Sequence, residues 1–88
     1  IKLINLFYMY SLQEINKHTT IDSCWVIANH KVYDVTEFLT IHPEHVSVIV
    51  PKAGQDVTQD YLFHTKHMKK IWQKYCIGYV QPSFCVVS

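Results

Sequence analysis

The 88 residues suffice for one small domain, and at 49% apolar and 14% aromatic they exclude a disordered chain as well as a two-domain one. Eight lysines and no arginine face seven carboxylates. The net charge of +1 excludes the basic footprint of a nucleic-acid-binding protein. No run of about 20 apolar residues occurs, so the given chain carries no membrane span. Residues 1–10, apolar except for Lys2 and Asn5, leave room for an anchor outside the chain.

In chain order, Ser11 and Glu14 form a capping box, and a short helix to about His18 should follow. Cys24 to Ala28 is an apolar run. Asn29-His30-Lys31 breaks it and Val32 to Val35 resumes, which predicts two paired strands joined by a tight turn. Thr36 is placed to cap a helix over Glu37 to Thr40. His42-Pro43 opens another helix, through Val46, Val48 and Ile49, which Pro51 ends. Ala53-Gly54 is a turn. Asp56 or Thr58 starts a helix through Tyr61, and Thr65 starts a longer one over Lys66 to Tyr75, with Lys66, Lys69, Lys70 and Lys74 on its wet side. Cys76 to Val80 reads as a last strand and Gln81 to Ser88 as a tail. The fold class is α+β: a small mixed sheet with helices too short to stand alone. The chain is one domain over 1–88, with its core at about 8–82. Several small helices around a gap imply that something fills it.

Two glycines, Gly54 and Gly78, are too few for a phosphate-cradling loop, and no serine elbow or paired catalytic carboxylates occur. The three cysteines, Cys24, Cys76 and Cys85, show no CxxC spacing and are expected as reduced thiols in a cytosolic domain. The informative residues are the six histidines. His18 and His30 are expected in solvent. The other four form two HxxH pairs, His42/His45 and His64/His67, each flanked by large apolar residues. Imidazoles set in two apolar walls suit a flat, apolar, metal-bearing ring such as haem, with axial positions on opposite faces. His42 and His64 lie on separate elements with a chain reversal between them, so they can approach from the two sides. The rivals are a tetrahedral zinc site on His42, His45, His64 and His67, and solvated helix faces that bind no metal.

The segments Tyr10-Ser11-Leu12-Gln13-Glu14, Cys24-Trp25-Val26-Ile27, Lys31 through Leu39, His42-Pro43, Ala53 through Thr58 and Ile77-Gly78 resemble the cytochrome b5 family in order and spacing. The resemblance covers almost the whole chain. It implies a non-covalent b-type haem, with His42 and His64 as axial ligands and Val35, Phe38, Val48, Ile49, Tyr61, Met68, Ile71 and Tyr75 lining its pocket. Thr65 stands where the family often has a serine on a haem propionate. Trp25 and Tyr33 fall to a second, structural core. The family's HPGG is here His42-Pro43-Glu44-His45, which places two side chains where glycines are usual; His45 is expected at the surface, with an alternative ligand as its other reading. The stretch before His64 is short, and Thr40-Ile41 and Val46-Ser47 replace much of the usual acidic ring.

With both axial positions filled by imidazole, no site is left for substrate, so the resemblance implies an electron carrier and not an enzyme. It implies a flavin-containing reductase as donor and a membrane oxidase, desaturase or hydroxylase, haem or non-haem iron, as acceptor. The domain is expected to be a monomer in the cytoplasm or on the cytoplasmic face of a membrane. A b5-like domain that binds a ligand without electron transfer is the remaining alternative.

Overall fold

The computed structural model describes residues 8–82. Its centre is the strand β3 (Ser23–Ala28), paired antiparallel with β4 (Lys31–Asp34) through the expected turn. Asn29 and His30 both take positive φ there, 52° and 66°, as a two-residue hairpin twisted like its strands requires. The final strand β5 (Cys76–Val80) has the bounds expected from its sequence, and it lies antiparallel to β4. Two more strands come from stretches too short to show a pattern: β1 (Met9–Tyr10), parallel to β5, and β2 (Thr19–Thr20), antiparallel to β3. The sheet order is β1-β5-β4-β3-β2. A Cβ on Gly78 would stand 2.5 Å from the Tyr8 carbonyl, so only glycine lets β1 approach β5.

β3 is apolar from Cys24 to Ala28 because both its faces are buried there. Its side chains alternate: Cys24, Val26 and Ala28 join one apolar cluster, while Trp25 and Ile27 join another with Ile15 and Val32. Tyr33 pairs with Val26 across the strands and belongs to the first cluster, not to the Trp25 core as expected. His18 is not simply solvated either. Its ring stacks on Trp25 at 3.7 Å, with Nε2 2.8 Å from the Glu14 carboxylate and Nδ1 2.6 Å from the Ser23 hydroxyl.

The triplet Asp-Val-Thr occurs twice, at 34–36 and 56–58, and does the same work in each place. Asp34 accepts the N–H of Thr36 at 3.1 Å and its hydroxyl proton at 2.7 Å, and the Thr36 oxygen accepts the N–H of Cys24 at 2.8 Å. Asp56 accepts the N–H of Thr58 at 2.9 Å as well as its hydroxyl proton, and the Thr58 oxygen accepts the N–H of Asn29 at 2.9 Å. The two triplets therefore fasten two helix starts to opposite ends of β3. Thr36 is the first residue of α2 (Thr36–Ile41) and not its cap, since Asp34 takes that N–H. α4 spans Thr58–Leu62.

The remaining helices are short. α1 (Leu12–Ile15) starts on the expected capping box, the Ser11 hydroxyl accepting the N–H of Glu14. It stops before His18, as the chain turns into β2. After α2 come a 3₁₀ turn (Pro43–His45), α3 (Val46–Ile49) and a second 3₁₀ turn (Val50–Lys52). Pro51 does not end this run: it sits in the first turn of the second 3₁₀ segment, where its missing N–H costs nothing. α5 (Lys66–Gln73) starts on Thr65, whose hydroxyl accepts the N–H of Met68, and ends two residues earlier than expected. Cys24 and Cys76 are free thiols, while Cys85 and residues 1–7 lie outside the described residues. Among the described residues no helix is long and apolar enough to cross a membrane.

Candidate functional site

The first cluster does not close. It surrounds a cavity of about 350 Å³, within the usual range of ligand pockets. Val26, Tyr33 and Val35 of the β3–β4 hairpin form its floor. Phe38, His45, Val48 and Ile49 make one wall, and Phe63, His64, Met68, Ile71 and Trp72 the other, with Tyr75 closing the end. Each Asp-Val-Thr triplet contributes its valine, Val35 and Val57, to the lining. Of the residues expected here, Val35, Phe38, Val48, Ile49, Met68, Ile71, Tyr75 and His64 line the cavity, whereas Tyr61, Thr65 and His42 do not. Tyr61 packs behind the wall, its ring 5.0 Å from Trp72 and 6.3 Å from Tyr33. The Thr65 hydroxyl is occupied in capping α5.

His64 is the best-defined polar group. Its Nδ1 lies 2.7 Å from the Asp60 carbonyl. A carbonyl only accepts, so Nδ1 carries the proton and Nε2 is left with its lone pair, the state an imidazole ligand needs. Trp72 stands edge-on to its ring at 5.5 Å. On the other wall, His42 and His45 flank Glu44, whose carboxylate is 3.5 Å from His42 Nδ1 and 3.9 Å from His45 Nε2. A backbone hydrogen bond at Glu44, and then the two imidazoles, hold that carboxyl below its usual range. Both histidine side chains are 47% exposed, and both rings lie close to Phe38, at 4.8 and 5.5 Å. His45, expected at the surface, is the one that borders the cavity.

Phe63 and Trp72, large apolar neighbours of the His64/His67 pair, also border the cavity, and sequence reasoning missed Val26, Tyr33, Lys52, Val57 and Asp60. Two of these carried a signal. Tyr33 shares strand parity with Val35, and Val57 repeats the position of Val35 in its triplet. Among the described residues no three His, Cys, Asp or Glu side chains gather as a metal-holding group, so the four-histidine zinc alternative finds no assembled ligand set. The residues present do fit a flat apolar group bearing a metal. Apart from His45, His64 and the Lys52–Asp60 ion pair the lining is apolar, one imidazole offers a free nitrogen, and Val48 and Phe63, 57% and 86% exposed, stand bare around the cavity for such a group to cover.

Comparison with known proteins agrees with this geometry. The profile of the family described as "Cytochrome b5-like Heme/Steroid binding domain" matches residues 11–81. Cytochrome b5 of Rattus norvegicus is 40% identical over 75 residues, 83% of this chain and 56% of that protein. The acyl-lipid (8-3)-desaturase of Physcomitrium patens is 43% identical over 75 residues, 84% of this chain but 15% of that protein. The chain thus spans little more than half of the rat protein and a small part of the desaturase. The solved structure of cytochrome b5 of Ostreococcus tauri virus 2 superposes with a TM-score of 0.70 at 37% identity, covering 82% of this chain and 95% of that one.

Proposed function

The chain belongs to the cytochrome b5-like haem/steroid-binding domain family, and from that membership we propose that it is a one-electron carrier in which His42 and His64 would hold the haem iron. The cofactor is the family's non-covalently bound b-type haem, which supplies an Fe(III)/Fe(II) couple when bound. The observation that carries the reading is His64 held by the Asp60 carbonyl, with its free nitrogen beside an apolar cavity.

The protein's own residues do the rest. Asp60 fixes the tautomer and orientation of His64 and raises its basicity. Val35, Val57, Met68 and Ile71 exclude water, and low dielectric around a charged centre tunes its potential. The sheet floor and the two fastened walls keep the site rigid, so little rearrangement accompanies a change of oxidation state. If His42 and His64 both held the iron, the group would supply electron transfer and would leave no position for substrate. The donor is a flavin-containing reductase and the acceptor a membrane oxidase, desaturase or hydroxylase, a role supported by the similarity to a domain-sized part of the moss desaturase.

A second reading has one observation in its favour. His45 borders the cavity and His42 does not, so His45 replaces His42 as the partner of His64. Haemin titration of the purified chain, followed by dithionite reduction, decides both points. The expected result is one haem per chain with a low-spin, six-coordinate spectrum, lost in His64→Ala and His42→Ala and kept in His45→Ala. Loss in His45→Ala with retention in His42→Ala selects the second reading. A five-coordinate or absent haem spectrum in the unmodified chain overturns the carrier.

A further inference from the structure

The two faces of α5 differ sharply. Met68, Ile71 and Trp72 border the cavity, while the other positions hold Lys66, His67, Lys69, Lys70 and Gln73, with Lys74 at the C-cap. Among the described residues no carboxylate lies within 4.0 Å of any of these four ammonium groups; the lysine ion pairs that form are Lys17 with Glu14 and Lys52 with Asp60. The carboxylates are mostly occupied elsewhere. Asp34 and Asp56 fasten helix starts, Glu14 and Glu44 serve histidines, and Asp60, on the neighbouring α4, is neutralised by Lys52 at 2.9 Å. The positive field of α5 is therefore uncompensated, although the chain as a whole is nearly neutral.

This face also connects to the site. From His64 the rings of Trp72 and Tyr61 follow at 5.5 and 5.0 Å, and the Lys69 ammonium stands 5.5 Å from the Tyr61 ring. Neighbouring aromatic rings thus step from the cavity wall to Lys69, beside the other lysines of the helix. We propose that this face is the docking site for an acidic one-electron redox protein, a partner that presents carboxylates to Lys66, Lys70 and Lys74. The proposal rests on the electron-carrier reading and adds the charge of its partner. On contact one electron passes between the proteins, one oxidised as the other is reduced, with no bond made or broken. A protein suits the face better than a bilayer, because the apolar side chains of α5 are occupied at the cavity and what it offers outward is charge.

The test uses an acidic flavodoxin and, as the opposite-charge control, a basic c-type cytochrome. Binding to the chain is measured by calorimetry. The bimolecular electron-transfer rate of the haem-loaded chain is measured by stopped flow between about 0.01 and 0.15 M ionic strength. With the flavodoxin, binding and rate should both fall as salt rises. The triple reversal Lys66→Glu, Lys70→Glu, Lys74→Glu should lower the low-salt rate by at least about tenfold and invert the salt dependence. Lys-to-Arg replacement at the same positions, which keeps the charge, should leave both as they were, and the basic cytochrome should show the opposite trends. Flavodoxin rates and binding indifferent to the reversal overturn the proposal. So does lysine-dependent binding to vesicles of anionic phospholipid in place of the flavodoxin. If the haem-loaded chain is not reversibly reduced, the carrier reading fails alone, and the calorimetric arm still decides the docking.

Discussion

Gly54, like Gly78, is a residue whose identity the fold constrains locally. Its φ is +79°, and a Cβ there would meet the Asn16 side-chain oxygen at 2.8 Å and a Thr19 methyl at 3.0 Å. Gly54→Ala should therefore cost about 1–3 kcal/mol in chemical denaturation, with the haem spectrum of the folded fraction unchanged because the residue does not line the cavity. A loss below a few tenths of a kcal/mol would show that the turn relaxes. At this scale the sequence was informative where chemistry is rare. His64 stood out through its apolar neighbours, and it borders the cavity. Tyr33 did not stand out, because it sits in a hairpin apolar on both faces, and only its parity with Val35 separates cavity from core. The position of His45 depends on the backbone path through the Pro43–His45 turn, which composition does not encode.

At the scale of elements, the two Asp-Val-Thr triplets join strand to helix, and Asp56 shows how such a joint depends on pH. The hydrogen bonds from the Thr58 hydroxyl and N–H stabilise its charged form and hold its carboxyl below the usual value of about 3.9. A carboxyl whose folded pKa is depressed adds stability above its unfolded pKa, and that stability is lost as pH falls through the folded value. The thermal stability of the haem-free chain should therefore fall below about pH 4. In Asp56→Asn, which keeps an accepting oxygen, the acid limb should be shallower. Asp56→Ala should lose about 1 kcal/mol at neutral pH as well. Identical acid limbs in wild type and Asp56→Asn would remove the carboxylate from the account. Elements with an alternating pattern or a cap signal, such as β3, β4, β5 and the starts of α1 and α5, were legible. β1 and β2 were not, because two residues carry no period and exist only through their partners.

For the whole molecule, the sheet separates two clusters of unequal completeness. The Trp25 side is filled, with Ile15 and Val32 fully buried and His18 laid over the indole. The cavity side lacks its filling, so its helices, none longer than the eight residues of α5, depend on what binds between them. A ligand that binds the folded state alone adds about 4 kcal/mol at a thousandfold excess over Kd. Without haem, amide exchange over residues 38–72 should be much faster than in the β3–β4 hairpin, and haem should slow it selectively. Equal protection in both states would contradict this. One further consequence lies in β3. Its ends, at Cys24 and Asn29, are where the two threonine hydroxyls take hold. The strand therefore serves as a ruler: about 17 Å of extended chain, at about 3.3 Å per residue, fixes how far apart the two helix starts stand. Lengthening it by one residue would turn the wrong faces inward. Lengthening it by two would preserve every facing and open the gap by about 7 Å, so the size of group the domain accepts is set by a strand that contributes only Val26 to the lining.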